Sequence, residues 1–293
     1  EARRAQAPRG AHSAAMSARI ASLHVYPVKG ARGIDVDVAE VGIEGLARDG
    51  VGDREWMVVD AHDRFITQRS HRRLCLVGTA VRDRALVLRV PGHADVTIAL
   101  DAAHGAPREV VVWRSTVRGF DEGDAAASAL SAHLGEPLRL VRFDPAQPRL
   151  CNPDFAGDSG AHTRFADGYP VLVIGAQSLA DLNARLAAKG ADALAMDRFR
   201  PNVVVEGLEA FDEDHLATLA IGDVTLKMVK ACIRCEVPTI DPRTAIAGVE
   251  PLVTLSTYRQ HATLDGIAFG MNAIVATGAG GTLAVGHPVP PPF

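Results

Sequence analysis

The chain has 293 residues, 47% of them hydrophobic and 23% charged, with a formal net charge of −4. That is the composition of a folded protein large enough for one big domain or two ordinary ones, and it excludes an intrinsically disordered chain. The acidic balance argues against nucleic-acid binding through a globally basic surface, and the longest apolar runs, such as "PVLVIGA" at 170–176, stop far short of the roughly 18–20 residues of a membrane-spanning helix.

The opening residues 1–16 are Arg- and Ala-rich without an apolar signal core, and read as a disordered leader or an Arg-rich transit segment. From Ile20 to Val112 short β-branched runs are broken by Gly and Asp, and "IDVDVAEV" alternates apolar and acidic residues with the period of a strand that has one wet face. "DAHDRF" at 60–65 has the polar content of a hairpin connection. A helix is predicted over 123–134, with acidic residues at its start, Gly135 at its stop and Pro137 beyond. "RLVRFDP" then reads as a strand, and 147–170 as a long Pro/Gly-rich connection, a length usually reserved for function or mobility. "PVLVIGA" and "RPNVVVEG" are buried strands, separated by an amphipathic helix with Ser178 as N-cap and Gly190 at its end. The remainder is expected to return to short strands.

Four cysteines occur, and two of them form "CIRC", Cys232 and Cys235. So few, so irregularly placed, imply free thiols and a reducing cytoplasm. A structural zinc site needs a second ligand pair, which Cys75 and Cys151 do not supply. A thioredoxin-like dithiol needs a helix after the pair, and "EVPTIDP" cannot readily form one. Two readings stay open on spacing alone: a pair of buried structural cysteines, or a thiolate ligand to a soft metal, favoured by Lys227, Lys230 and Arg234 nearby. Positive charge also gathers in Gly-flanked turns, at Lys29 and Arg32, at Arg54, and at Arg69, Arg72 and Arg73, with Arg198, Arg200 and Asn202 at the entry to a buried strand. Such groups suit an anion or a phosphate. No GxxxxGK[ST], GxGxxG after a strand, GxSxG or HExxH occurs, so nucleotide-triphosphate, Rossmann, serine-hydrolase and zinc-protease readings have no support.

Taken in order, "YPVKGARG", "DREWMVVD", "FITQR", "VWRSTVRGFDEGDAAASALSAHLGEPLRLVRF", "SLADLNARL", "FRPNVVVEG", "IGDVTLKMVKACIRCEVPTIDP" and "FGMNAIV" resemble the MOSC family. The resemblance is to its two-part members, the mitochondrial amidoxime-reducing components and their bacterial relatives. It implies an α+β, mainly β fold with a MOSC N-terminal β-barrel-like domain at 17–140 and a MOSC domain at 141–289. It also implies a molybdenum cofactor, the metal held by a pyranopterin dithiolene with a terminal phosphate. Cys235 would then be the thiolate ligand, with Cys232 a bystander or a supporting residue. The positions matching the family's cofactor contacts are Lys29, Gly30, Arg54, Gly168, Tyr169, Arg200, Asn202, Arg234 and Asn272. Gly30 stands where the animal proteins carry Ser, Tyr169 lies where small hydroxyl residues are usual, Ile233 replaces Ser and Asn272 replaces Tyr.

The activity implied is reduction of N-hydroxylated compounds, such as amidoximes, hydroxylamines and N-hydroxylated bases. Electrons would come from a separate ferredoxin, flavoprotein or cytochrome b5-like protein, because the chain carries no ferredoxin-type cysteine run. Asp241 is expected to brace the cysteine loop rather than to donate a proton. The alternative is a cofactor carrier or a sulfurase-like binding protein, although without a preceding pyridoxal-phosphate domain a complete sulfurase is not expected.

Overall fold

Near the end of the chain, a run that alternates apolar with polar residues in its first half and a nearly continuous apolar run build two ten-residue strands, Val224–Ile233 and Ala268–Thr277, paired antiparallel. They are longer than the short strands expected there, because Val224, Leu226 and Met228 share one buried face without a turn residue to interrupt it. They form part of a computed structural model that describes residues 18–102 and 105–290, so the leader expected at 1–16 lies outside the described residues. The seven-stranded sheet runs in the order Thr218–Ile221, Val224–Ile233, Ala268–Thr277, Val171–Gly175, Val203–Glu206, Arg19–Val25 and Ile34–Val36. Only the pair Val171–Gly175 and Val203–Glu206 is parallel, and the crossover that a parallel pair requires is made through the helix Ala176–Ala188.

The expected helix at 123–134 forms as Asp124–Leu134 and ends at Gly135 in a left-handed conformation. It packs Ala126, Ala129 and Leu130 onto a core that also contains Trp56, Leu74, Leu86 and Leu88. Around that core lie a four-stranded sheet, ordered Pro107–Val112, Ser115–Asp121, Arg139–Phe143 and Trp56–Val59, and a three-stranded one, Gly78–Arg82, Ala85–Arg89 and Val96–Ala99. A second four-stranded sheet sets Thr282–Ala284 against Val38–Gly42, followed by Gly45–Arg48 and Val51–Gly52. The whole is mainly β.

Strands from the two ends of the sequence are thus interleaved. Arg19–Val25 lies inside the seven-stranded sheet, between Val203–Glu206 and Ile34–Val36. Ile20, Leu23, Val205, Ala273 and Leu283 belong to one buried cluster.

Two local expectations are corrected. Ser178 is not the N-cap of its helix. Gly175 holds that position, and the buried Ser178 hydroxyl donates to Glu213 Oε2 at 2.8 Å and accepts the Phe211 N–H at 2.8 Å. The 147–170 connection is also not structureless. It contains the strand pair Arg149–Leu150 and His162–Thr163 and the short helix Pro153–Ala156, whose Asn152 side chain caps the Asp154 N–H. By contrast 60–65 is the turn its composition suggests, with Asp60 Oδ1 accepting from the N–H groups of His62 and Arg64.

Candidate functional site

Where the seven-stranded sheet meets the first half of the chain there is a cleft of about 360 Å³. All ten residues singled out for a cofactor, Lys29, Gly30, Arg54, Gly168, Tyr169, Arg200, Asn202, Arg234, Cys235 and Asn272, line it. Of the other basic positions, Arg69 and Lys230 also line it, while Arg32 and Arg198 open onto a separate small cavity behind it. Arg73 is outside as well, its guanidinium resting against the His133 ring.

The sheet supplies one wall through a cross-strand row in which Asn272 is registered with Leu172 on one side and with Lys230 on the other. Irregular register between Met228 and Lys230, and again between Ala231 and Ile233, breaks strict alternation at this end of the strand. That allows the consecutive residues from Lys230 to Cys235 all to border the cleft. Phe199, which also lines the cleft, stacks on the buried Phe269 ring at 4.4 Å.

The opposite wall comes from the turn after Arg19–Val25 and from the Arg54 turn. The Lys29 N–H is tied to the Trp56 carbonyl, and the Arg54 N–H to that of Tyr26. Gly30 has φ +82°, and a Cβ there would approach Leu74 Cδ2 to 2.6 Å, so the position requires glycine on two counts. Arg54 and Arg200 also hold left-handed backbones, φ +47° and +58°, which is costly outside glycine and concentrates at functional sites.

These two arginines share one support, for each guanidinium carbon lies 4.3 Å from the centroid of the buried Tyr26 ring. Arg54 Nη1 donates to Asp53 Oδ2 at 2.5 Å and its Nη2 to the Arg200 carbonyl at 3.2 Å. Arg200 Nη1 donates to the Ala31 carbonyl at 2.6 Å, but its Nη2 is buried with no partner among the described residues. Burial, with the adjacent Arg54 charge, pulls the Arg200 guanidinium down to about 10. A buried, unpaired donor on a cation crowded by another cation has the chemistry that suits an anion.

Lys29 reaches the Phe165 carbonyl at 2.8 Å and Asp167 Oδ1 at 2.5 Å, and burial draws its ammonium below the usual lysine value against the pull of Asp167. Asn202 lines the cleft and also ties its walls together. Its amide donates to Asp53 Oδ1 and the His24 carbonyl and accepts from the Leu172 N–H and Arg54, so its polar capacity is used in bracing the site.

At the mouth, Arg234 Nη2 donates to the Phe199 carbonyl at 2.7 Å and Nη1 to Cys232 Sγ at 3.0 Å. Cys232 therefore fixes Arg234, and Cys235 is left as the exposed thiol of the pair. All four cysteines are free. Asp241 braces the following loop, accepting from the Arg243 and Thr244 N–H groups and from Arg198 Nη2 at 2.9 Å. Tyr169, half-buried, has its phenol pushed up to about 12 by burial.

Asp53, Tyr26, Asp167 and Trp113 complete the site and carried no role in the sequence reading. A clue to Asp53 was its place beside Arg54, since an acid that follows a Gly and precedes an Arg in a turn is apt to orient that Arg.

Among the described residues no three His, Cys, Asp or Glu side chains gather to hold a metal by themselves. A metal at Cys235 would need most of its ligands from a non-protein group. The site fits a group with an anionic tail for the Arg54–Arg200 end and a soft metal for the thiol end.

Residues 17–137 match the model of the MOSC N-terminal beta barrel domain and residues 160–290 that of the MOSC domain. Among curated proteins the chain is similar to mitochondrial amidoxime reducing component 2 of Bos taurus, 33% identical over 285 residues, which cover 92% of this chain and 82% of that protein. It is likewise similar to mitochondrial amidoxime-reducing component 1 of Homo sapiens, 33% identical over 281 residues with the same two coverages. The component 1 of Danio rerio is 31% identical over 277 residues, 92% of this chain and 83% of that one. No helix among the described residues is long and apolar enough to cross a membrane. With both domain models matched in order and relatives of this identity aligned along nearly the whole chain, the protein belongs to the MOSC family, as a two-part member related to the mitochondrial amidoxime-reducing components.

Proposed function

We propose that the protein is a molybdenum-cofactor-dependent reductase of N-hydroxylated compounds, supplied with electrons by a separate redox protein. The observation that carries the proposal is one cleft with an unsatisfied buried Arg200 Nη2 at its cationic end and the exposed Cys235 thiol at the other side. The names of the relatives support the same reading. In this reading Arg200, Arg54 and Lys29 receive the cofactor's terminal phosphate, Gly30 and Gly168 bring backbone close to it, and Arg234 and Asn272 flank the thiol. Cys235 is the protein's ligand to the metal.

The bound cofactor would supply the two-electron chemistry that breaks the N–O bond: an amidoxime takes up two electrons and two protons and yields the amidine and water. The chain's own residues bind, orient and exclude water. Tyr26 and Asp53 hold the arginines before any ligand arrives, which removes reorganisation from the binding step. Ile66, Leu172, Phe199, Val237 and Pro238 make the apolar part of the wall.

The test is to produce the protein with cofactor, measure molybdenum per chain and assay benzamidoxime reduction with a chemical electron donor. About one molybdenum per chain with turnover is expected, and Cys235→Ala should lose both. A metal-loaded wild type without turnover is the outcome for a carrier and sinks the reductase proposal. Metal retained in full by Cys235→Ala sinks the ligand assignment.

A further inference from the structure

Trp113 borders the cleft and has no role among the proposed cofactor contacts, although Lys29 Nζ lies 6.0 Å from its ring centroid. It is the first of the two residues that join the strands Pro107–Val112 and Ser115–Asp121, between the paired Val112 and Ser115. Its φ is +55°. Two-residue hairpin turns call for that left-handed conformation, and Gly, Asn or Asp normally provides it. The turn at Asp83 and Arg84, between the paired Arg82 and Ala85, begins with such an Asp. A tryptophan in this position is strained, and retained strain points to a side chain that is used.

The indole is also held in one orientation. Its Nε1 donates to Asp167 Oδ1 at 3.0 Å, the Phe65 ring lies 5.0 Å away at 56°, and the Arg69 guanidinium sits 4.9 Å from a ring centroid of Trp113. Despite these contacts Trp113 remains 43% exposed, whereas Lys29 beside it is 8% exposed. The fold thus fixes a large aromatic surface at the rim, above the buried cations, and leaves it open.

We infer that Trp113 is a specificity-determining residue, a fixed platform on which the planar aromatic part of an N-hydroxylated substrate stacks, so that aryl and heteroaryl substrates are preferred to aliphatic ones. The inference rests on the reductase reading. Stacking on a preset ring adds to affinity beyond the area buried, and presetting by Asp167 and Phe65 removes the cost of ordering the side chain on binding.

The test compares kcat/KM for benzamidoxime and acetamidoxime in molybdenum-loaded wild type, Trp113→Phe and Trp113→Gly, with a chemical reductant. Glycine suits the left-handed turn, so the hairpin is kept, and melting curves verify folding. The benzamidoxime-to-acetamidoxime ratio should fall about tenfold in Trp113→Gly, mainly through KM, and by less than about threefold in Trp113→Phe. An unchanged ratio in Trp113→Gly overturns the inference. So does a parallel loss of molybdenum, which would make Trp113 a cofactor contact.

Fluorescence gives a readout without turnover. The sequence has two tryptophans, and Trp56 is fully buried. Benzamidoxime added to loaded protein without reductant should quench emission saturably in wild type, acetamidoxime should not, and Trp113→Gly should show no saturable quench. Equal quenching by both compounds, or none, contradicts the platform. A wild type that reduces neither amidoxime refutes the reductase reading, and quenching then decides the role of Trp113 by itself.

Discussion

Arg200 shows how a single side chain is prepared for a ligand. Its guanidinium is destabilised by burial and by Arg54, and the cost is present throughout the neutral range because the depressed value, about 10, lies far above it. An anion reverses that cost. Replacing the charge should therefore split two properties: cofactor-free Arg200→Met should melt no lower than cofactor-free wild type, while its cofactor affinity should fall on the order of 10- to 100-fold, the range for a charge-assisted hydrogen bond. Calorimetry of the cofactor-free proteins and molybdenum retained after dialysis check the two halves. Gly30 makes the converse case. The family resemblance suggests that Ser would be accepted there, yet φ +82° and a contact of 2.6 Å to the fully buried Leu74 oppose any Cβ. Gly30→Ser should lower stability by about 1–3 kcal/mol in urea unfolding, despite its plausibility on family grounds.

Among the elements, the crossover helix Ala176–Ala188 depends on a partner far along the chain. The carboxylate of the fully buried Glu213 accepts from the Gly175 N–H at 3.0 Å and from Ser178, closing the helix start. Burial raises the Glu213 pKa above its ordinary 4.5 even against those hydrogen bonds. The folded state then binds the proton more tightly than the unfolded state, so the stability Glu213 contributes is full below pH 4.5 and declines as pH rises through the raised value. Glu213→Gln should flatten that decline in urea midpoints taken across the acid-to-neutral range. Glu213→Ala should cost about 2–4 kcal/mol in the acid range by leaving the Gly175 and Ser178 donors unpaired, and less as pH rises. Ser178 was legible as a capping residue because the capping rule is local, and it failed because a residue 35 positions away satisfied the helix start instead. The 60–65 turn and the 123–134 helix were legible for the same reason in reverse, since Asp60 and Gly135 act on their own neighbours. The cations of the site could be read from residue type, whereas Cys235 was singled out only by the family resemblance. Tyr26 and Trp113 could not be read from type, because one matters through two arginines brought to it by the fold and the other through an orientation that only the turn imposes.

For the molecule as a whole, the interleaving of strands is what the sequence concealed most fully. Pairing of Arg19–Val25 with Val203–Glu206 joins segments that no local pattern relates. Thr282–Ala284 returns to Val38–Gly42, and its Leu283 is fully buried in the shared core. The boundary proposed near residue 140 therefore leaves the Trp56 core whole on its first side but divides the cluster of Ile20, Leu23, Val205 and Leu283. Fragment 141–290 made alone should lack cooperative unfolding, because the cluster it shares with Ile20, Leu23 and Leu46 is broken, whereas the full chain should unfold cooperatively by circular dichroism. A cooperative melt of that fragment would refute this view of the fold.

The same arrangement sets an order of events during synthesis. The cleft is lined from Lys29 to Asn272, and the strand bearing Asn272 is flanked by segments made more than thirty residues earlier. A growing chain that stops short of Asn272 lacks part of the wall that carries the thiol. Under the proposed function, cofactor would be taken up only once Asn272 has been made and its strand paired.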